Sequence, residues 1–225
     1  MTEHTSSQTS PFALATAQSR SERTRTRILT AAIAHFEAGT FDATPIAEIA
    51  RIAEVSVGGI YRRFRNKSDL QRAVAEELMQ RLGANVEARL ATATAQTTAG
   101  GIVQRYAEGL VHGFLDSNAE TVRRLSLLMR SDQDLPASQI VQAHNARLQQ
   151  VLADALRERR QQIDHPDLDA AIAFLDLAVS AAAREIMLHA GLGPAPDTTH
   201  VIRELTRLGC AYLRTPIPSA TTSSP

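Results

Sequence analysis

The chain has 225 residues, 44% hydrophobic and 21% charged, a balance that suits a folded globular protein with a sizeable core. Its 24 basic and 24 acidic residues cancel at pH 7, so the whole-chain charge points to no polyanionic partner. The single cysteine, Cys210, leaves no internal disulfide and no Cys-rich metal framework, no stretch reaches the roughly 18 apolar residues of a membrane helix, and Met1 to Ser19 lack the basic start and apolar core of a signal peptide. The expectation is a reducing, cytoplasmic setting with no membrane partner.

Residues 1–19, rich in Ser and Thr, read as a disordered arm, and 215–225 as a disordered tail. Between them apolar residues recur with helical period and no run alternates like a strand. The pattern predicts an all-α fold with helices near 20–38, 45–53, 56–64, 67–95, 101–116, 119–130, 136–161, 167–190 and 198–214. The breaks have physical causes. Gly39 follows the last apolar residues of the first helix, where a left-handed cap favours glycine. The Thr44 hydroxyl can cap free amides ahead of Pro45, and proline loses nothing at a first helical position. Asn66 can cap the next helix, with Asp69 in its first turn. His165-Pro166 opens a later helix, and Gly191-Leu192-Gly193-Pro194 closes it as a plain loop.

Residues 20–72 carry the most information. The first helix sets Ile28, Ala31, Ala32, His35 and Phe36 on one face. A short helix follows with Ile46, Ile49, Ala50 and Ala53 at core spacing. Three residues, Glu54-Val55-Ser56, then lead into another short helix, the layout of a helix-turn-helix unit. On that last helix Ile60 and Phe64 should point inward, and Gly58, Tyr61, Arg62 and Arg65 outward. The same 53-residue window holds ten basic and six acidic residues, a net of +4, which leaves −4 for the rest. A basic head with such an outward face suits a polyanion.

The run from Arg27 to Leu70 resembles the DNA-binding domain of the TetR family of repressors. The resemblance is carried by Phe36-x-x-Gly39, Thr44-Pro45-x-x-Glu48-Ile49-Ala50, Val55-Ser56-x-Gly58-x-Ile60-Tyr61-x-x-Phe64 and Asn66-Lys67-x-x-Leu70. It covers about a fifth of the chain, in the family's order. Two positions depart: Glu54 stands where the family's turn usually has glycine, and Gly59 replaces a hydroxyl-bearing or larger residue. The resemblance implies a homeodomain-like, three-helix DNA-binding domain over 20–72, and a helical effector-binding and dimerisation domain over 73–214. It assigns Thr44, Tyr61, Arg63 and Lys67 to phosphate contacts. Val57, Gly58, Gly59 and Arg62 go to the major-groove surface, with Pro45 and Ser56 completing the set.

Other constellations are weaker. His112 with Asp116, and Glu185 with His189, stand four apart on predicted helices, but a metal site needs three or four ligands. Helix-surface pairing is the commoner use of such spacing, so neither metal nor cofactor is expected. Nothing resembles a nucleophile elbow or another local catalytic pattern, and no enzyme activity is expected. Cys210 lies in an apolar helix and reads as packing.

The last two predicted helices carry more than one apolar stripe and must bury more than one face. By resemblance, Leu168, Ile172, Leu175 and Val179 would pair with Val201, Leu205, Leu208 and Tyr212 across a homodimer interface. The middle helices would enclose a ligand pocket, with Tyr106, Leu110, Phe114, Leu128, Met129, His144, Leu148 and Phe174 as candidate lining. The reading as a whole is a homodimeric transcription repressor, bound to a double-stranded DNA operator and released by a small hydrophobic ligand. One alternative is a DNA-binding regulator with no small-molecule effector. A helical ligand-binding protein or enzyme is the other, and it leaves the basic head unexplained.

Overall fold

A computed structural model describes residues 11–117, 119–131, 136–189 and 197–218. These residues form helices and connecting turns, with no strand among them. The elements are α1 (Pro11–Glu37), α2 (Ile46–Ile52), α3 (Val57–Tyr61), α4 (Lys67–Ala91), α5 (Ala99–Asp116), α6 (Ala119–Ser131), α7 (Pro136–Arg157), α8 (Leu168–His189) and α9 (Thr198–Leu213), with a 3-10 turn at Arg160–Gln162. None of the described helices is long and apolar enough to cross a membrane. The chain divides into two compact units, Met1–Val74 and Ala75–Pro225.

The first unit closes around a small core. Ile28, Ala32 and Phe36 of α1 meet Ile49 and Ala50 of α2, and Ile60 and Phe64 follow from the third helix and its end, all buried. The inward spacing read from the sequence therefore describes the packing, except that His35 stays half-exposed at the rim. Gly39 adopts φ 75°, the left-handed cap that stops α1. Asn66 caps α4, its side-chain oxygen accepting from the Asp69 amide at 2.8 Å. Asp69 in turn accepts from the Arg65 amide at 3.2 Å. The first bond satisfies an amide that a helix start leaves free, and the second ties down the residue just ahead of the cap.

Several expectations are corrected. Helix α1 begins at Pro11, so the part of the arm from Pro11 to Ser19 is helical. Proline suits a first helical position, and the following Ala13-Leu14-Ala15 are strong helix formers. Residues 1–10 and 219–225, and the loop Gly191–Pro194, lie outside the described residues. The tail does not leave the body at residue 215. Arg214 takes φ 52° and turns the chain back, Thr215 is buried, and the Pro216 carbonyl occupies space that a side chain on Gly100 would need. The Thr44 hydroxyl does not cap α2; it donates to the Thr40 carbonyl at 2.8 Å, and Pro45 precedes the helix as a side-chain-free cap. Asp167, rather than His165-Pro166, caps α8 by accepting from the Ala170 amide at 3.0 Å.

In the second unit α5 is the central element, packed on α6, α7, α8 and α9. Its glycines permit close approach: a Cβ on Gly109 would lie 2.5 Å from Val86 Cα, and one on Gly113 would lie 2.7 Å from the Leu82 carbonyl oxygen. The loop from α4 to α5 is held by Arg159, which is 8% exposed and donates to the carbonyls of Thr94, Thr97 and Ala155. Cys210 is fully buried, and burial pushes its thiol up to about 11, which keeps it protonated and unreactive.

Candidate functional site

The reversal between α2 and α3 sets the geometry of the first unit. The chain turns in three residues, and Glu54 takes φ 50° to make that possible. This is left-handed backbone, which costs a non-glycine residue of order 1 kcal/mol. Arg27 of α1 holds it there, donating from Nη2 to the Glu54 carbonyl at 3.1 Å and to its carboxylate at 2.5 Å. Ser56 then caps α3, its Oγ accepting from the Gly59 amide at 3.0 Å. So placed, α3 buries Ile60 and presents Val57, Gly58, Tyr61 and Arg62 to solvent.

Tyr61 is 51% exposed, and the Arg62 guanidinium has no hydrogen-bond partner among the described residues. Gly58 has open space around it, nothing lying within 4 Å of a built Cβ. A flat glycine between an exposed tyrosine and an unpaired guanidinium is a surface that allows close approach of a ligand backbone. Arginine there offers the forked donors that read guanine edges or hold phosphate. Arg65 is exposed beside it.

The remaining sequence-named residues are placed differently. Gly59 is buried, not on the outward surface, because its amide is the one that Ser56 caps and its Cα faces back into the turn. Thr44 is buried, with its hydroxyl also 3.2 Å from His35 Nδ1. Arg63 folds back along the unit, donating to the Gly59 carbonyl at 3.2 Å and to Ser21 Oγ at 3.3 Å. Lys67 bonds inward: its Nζ donates to the carbonyls of Asp42 at 2.7 Å and Thr44 at 2.8 Å, and lies 5.4 Å from the Phe41 ring centroid. It straps the start of α4 to the loop before α2. Ser56 and Pro45 remain exposed at the ends of the two short helices.

The second unit contains a cavity of about 80 Å³. Its apolar wall comes from Met79 and Leu82 of α4, Leu110 and Phe114 of α5, Val122 and Leu125 of α6 and Leu148 of α7. Ser126, Asn145, Asp176, Ser180 and Arg184 supply the polar groups. Three sequence-named lining residues, Leu110, Phe114 and Leu148, reach it. Tyr106 stands behind the wall, fully buried, its hydroxyl donating to Asp176 Oδ1. Burial raises that phenol well above the usual tyrosine value. Phe174 is not lining: it is 53% exposed on the outside of α8, against Tyr212 at 5.0 Å between centroids. His144 also faces elsewhere, onto Gly83 of α4, where a Cβ would lie 2.3 Å from its ring. Burial lowers its pKa. The side chains of Leu128 and Met129 lie outside the described residues.

Sequence reasoning missed Asp176, Ser180 and Arg184. A signal was present, since Asp176 interrupts the apolar run Phe174-Leu175-Asp176-Leu177-Ala178-Val179. The interface expectation is corrected too. Ile172, Leu175, Val179, Val201 and Leu205 are buried within the protomer, so they form its own core. Only Leu208, 52% exposed, and the half-buried Leu168 and Tyr212 keep accessible surface. Of the spaced polar pairs, Asp116 accepts from Asn85, and Glu185 lies 3.6 Å from His189 as an ordinary helix-surface pair.

Comparison with known proteins adds family information to this geometry. Residues 28–74 match the family described as bacterial regulatory proteins, tetR family, and residues 103–213 match the tetracyclin repressor-like, C-terminal domain. Comparison with curated proteins returns no match. Among solved structures, a TetR-family transcriptional regulator from Mesorhizobium loti is 20% identical, with 87% of this chain and 97% of that one covered at a TM-score of 0.70. A TetR-family regulator from Streptomyces coelicolor is 22% identical, covering 92% and 96% at 0.63. The fatty acid degradation regulator FadR from Bacillus halodurans is 17% identical, covering 86% and 97% at 0.61. These likenesses show a shared fold.

The inward bonds of Lys67 lead to a specific expectation. Lys67→Met should lower the stability of the DNA-free protein by about 1 kcal/mol, because an exposed and a part-buried carbonyl lose their charged donor. Thermal or urea unfolding without DNA measures this. A residue serving only as a phosphate contact would leave that stability unchanged.

Proposed function

The chain belongs to the TetR family of bacterial regulatory proteins, and on that premise we propose that it is a homodimeric, cytoplasmic transcription repressor whose release from a DNA operator is driven by a small molecule. It is a DNA-binding regulator by family. The observation that carries the finer reading is the outward face of α3, where Gly58 leaves open space and the Tyr61 and Arg62 side chains make no internal hydrogen bond among the described residues. A recognition helix enters the major groove with such a face foremost, its side chains reaching base edges and flanking phosphates.

Two copies are supported by the outer surface of α8 and α9. Phe174, Leu177 and Leu208 are 53%, 65% and 52% exposed, and Tyr212 stacks on Phe174. Large apolar side chains gathered on two neighbouring helices cost water ordering unless another surface covers them. A second copy of the same helices would cover them and supply a second recognition helix for a second half-site.

Release by a ligand is supported by the course of α4. This helix carries Lys67, whose bonds fasten the loop before α2, and Met79 and Leu82, which line the cavity. A ligand that prefers one position of α4 shifts the protein toward it, and the coupling to DNA affinity is reciprocal. Its expected size is about 1–3 kcal/mol.

Binding to a mixed-sequence duplex over a salt series tests the DNA face. Tyr61→Ala is expected to weaken binding with the log–log salt slope unchanged, since a neutral hydroxyl on a phosphate releases no counterion. Losing a guanidinium–phosphate contact, by contrast, lowers the slope by about one unit. Arg62→Ala is expected to weaken binding as well, and unchanged affinity and slope in both variants would remove α3 as the reading helix. Light scattering tests assembly. The wild type is expected to run as a dimer at micromolar concentration, and Leu177→Glu as a folded monomer, since a charge on that surface opposes burial without touching the protomer core.

A further inference from the structure

Asp176 decides what chemistry the cavity accepts, given its reading as an effector site. Asp176, Ser180 and Arg184 line the wall from one face of α8, at i, i+4 and i+8. Oδ1 of Asp176 accepts from the Tyr106 hydroxyl and from Ser180 Oγ, the latter at 3.2 Å, and the two hydroxyls lie 3.2 Å apart. Tyr106 is 1% exposed, so this cluster marks the inner side of the wall. Two neutral donors fix the carboxylate in place but do not cancel its charge.

Among the described residues, no Lys, Arg or His forms an ion pair with Asp176, and its Oδ2 has no hydrogen-bond partner. Burial raises its pKa, the response of an anion without a counter-ion. The other charged lining group, Arg184, stands two helical turns further on, about 12 Å along the axis, and makes no bond to Asp176. The rest of the wall is mostly hydrocarbon. A half-buried carboxylate on a mostly hydrocarbon wall is satisfied by a positive charge that arrives with the ligand.

We propose that the cavity binds a small organic cation, a protonated amine on a compact apolar body, with the ammonium against Asp176 and the body against Leu110, Phe114 and Leu148. This assignment rests on the effector-cavity reading and adds the ligand's charge to it. The cavity's volume of about 80 Å³ restricts the body to roughly one small ring or a short branched chain. A neutral ligand of the same shape leaves the carboxylate uncompensated. An anion brings like charge to it.

Three probes of nearly one shape separate these cases: benzylamine, benzyl alcohol and benzoate, titrated calorimetrically into the full chain at about pH 8, where the amine is protonated and an accessible carboxylate ionised. Benzylamine is expected to bind most tightly and benzoate least. Asp176→Asn, which keeps the shape and removes the charge, should weaken benzylamine roughly 10- to 100-fold and benzyl alcohol by less than about threefold. Leu110→Trp, which fills the space, should abolish binding of both. If Asp176→Asn does not fold, the ranking of the three probes on the wild type decides alone. Benzyl alcohol or benzoate binding as tightly as benzylamine, and lost in Leu110→Trp, overturns the cationic class while leaving the effector cavity standing. Absence of any probe binding that depends on Leu110 overturns both.

Discussion

A chain that reverses between two short helices within three residues must place one residue in left-handed backbone, and everything the first unit presents to solvent follows from that constraint. Here the residue is Glu54, at φ 50°. Glycine would sit there without strain, and Glu54 is instead held by a guanidinium from α1 that grips both its carbonyl and its carboxylate. With the turn set, Ser56 caps α3, Ile60 enters the core, and Gly58, Tyr61 and Arg62 necessarily face out. The strap from Lys67 to the carbonyls of Asp42 and Thr44 closes the same unit from the far side of α2. Arg27, Arg63 and Lys67 are thus bonded within the frame, and the Arg62 guanidinium, which has no internal hydrogen bond among the described residues, is left for an outside partner.

The second unit obeys a different constraint, the cost of polar groups in an apolar interior. Helix α5 approaches its neighbours through glycines and buries nearly its whole length. Where packing is incomplete, α4, α5, α6, α7 and α8 leave a cavity whose inner polar feature is the Tyr106–Asp176–Ser180 cluster. Such a cluster is more costly than hydrocarbon unless something completes it, which supports the proposal that it recognises a ligand. The same helix α8 divides its faces. Ile172, Leu175 and Val179 hold the protomer core, Asp176 and Ser180 line the cavity, and Phe174 and Leu177 remain uncovered outside.

Much of this was legible in the sequence where a local rule acts alone. The helical period marked every described α-helix, Gly39 marked the left-handed stop, and Asn66 marked the cap of α4, because each depends on a few neighbouring residues. The inward Ile60 and Phe64 followed from spacing. What the sequence could not order was the use of a face once a helix has several. Val179 and Leu205 look the same in the sequence whether they meet their own protomer or a copy, and the three-dimensional packing assigns them to the former. Phe174 looked like lining for the same reason and stands outside. Side-chain destinations of long cations were equally hidden, since whether Lys67 reaches outward or to the Asp42 carbonyl depends on a loop 25 residues earlier in the chain. Asp176 was readable as an anomaly, one acid in an apolar helix, but its partner Tyr106 lies 70 residues away and only the fold joins them.

In the proposed dimer, two copies of α3 read DNA together. Selection of bound duplexes from a random-sequence pool by the full chain tests that claim most directly. Paired recognition helices require an enriched inverted repeat, its half-sites about one helical turn apart or a multiple of it, with base preference lost at two symmetry-related positions in Arg62→Ala. An enriched site without two-fold symmetry, or a motif unchanged by Arg62→Ala, would contradict the paired reading.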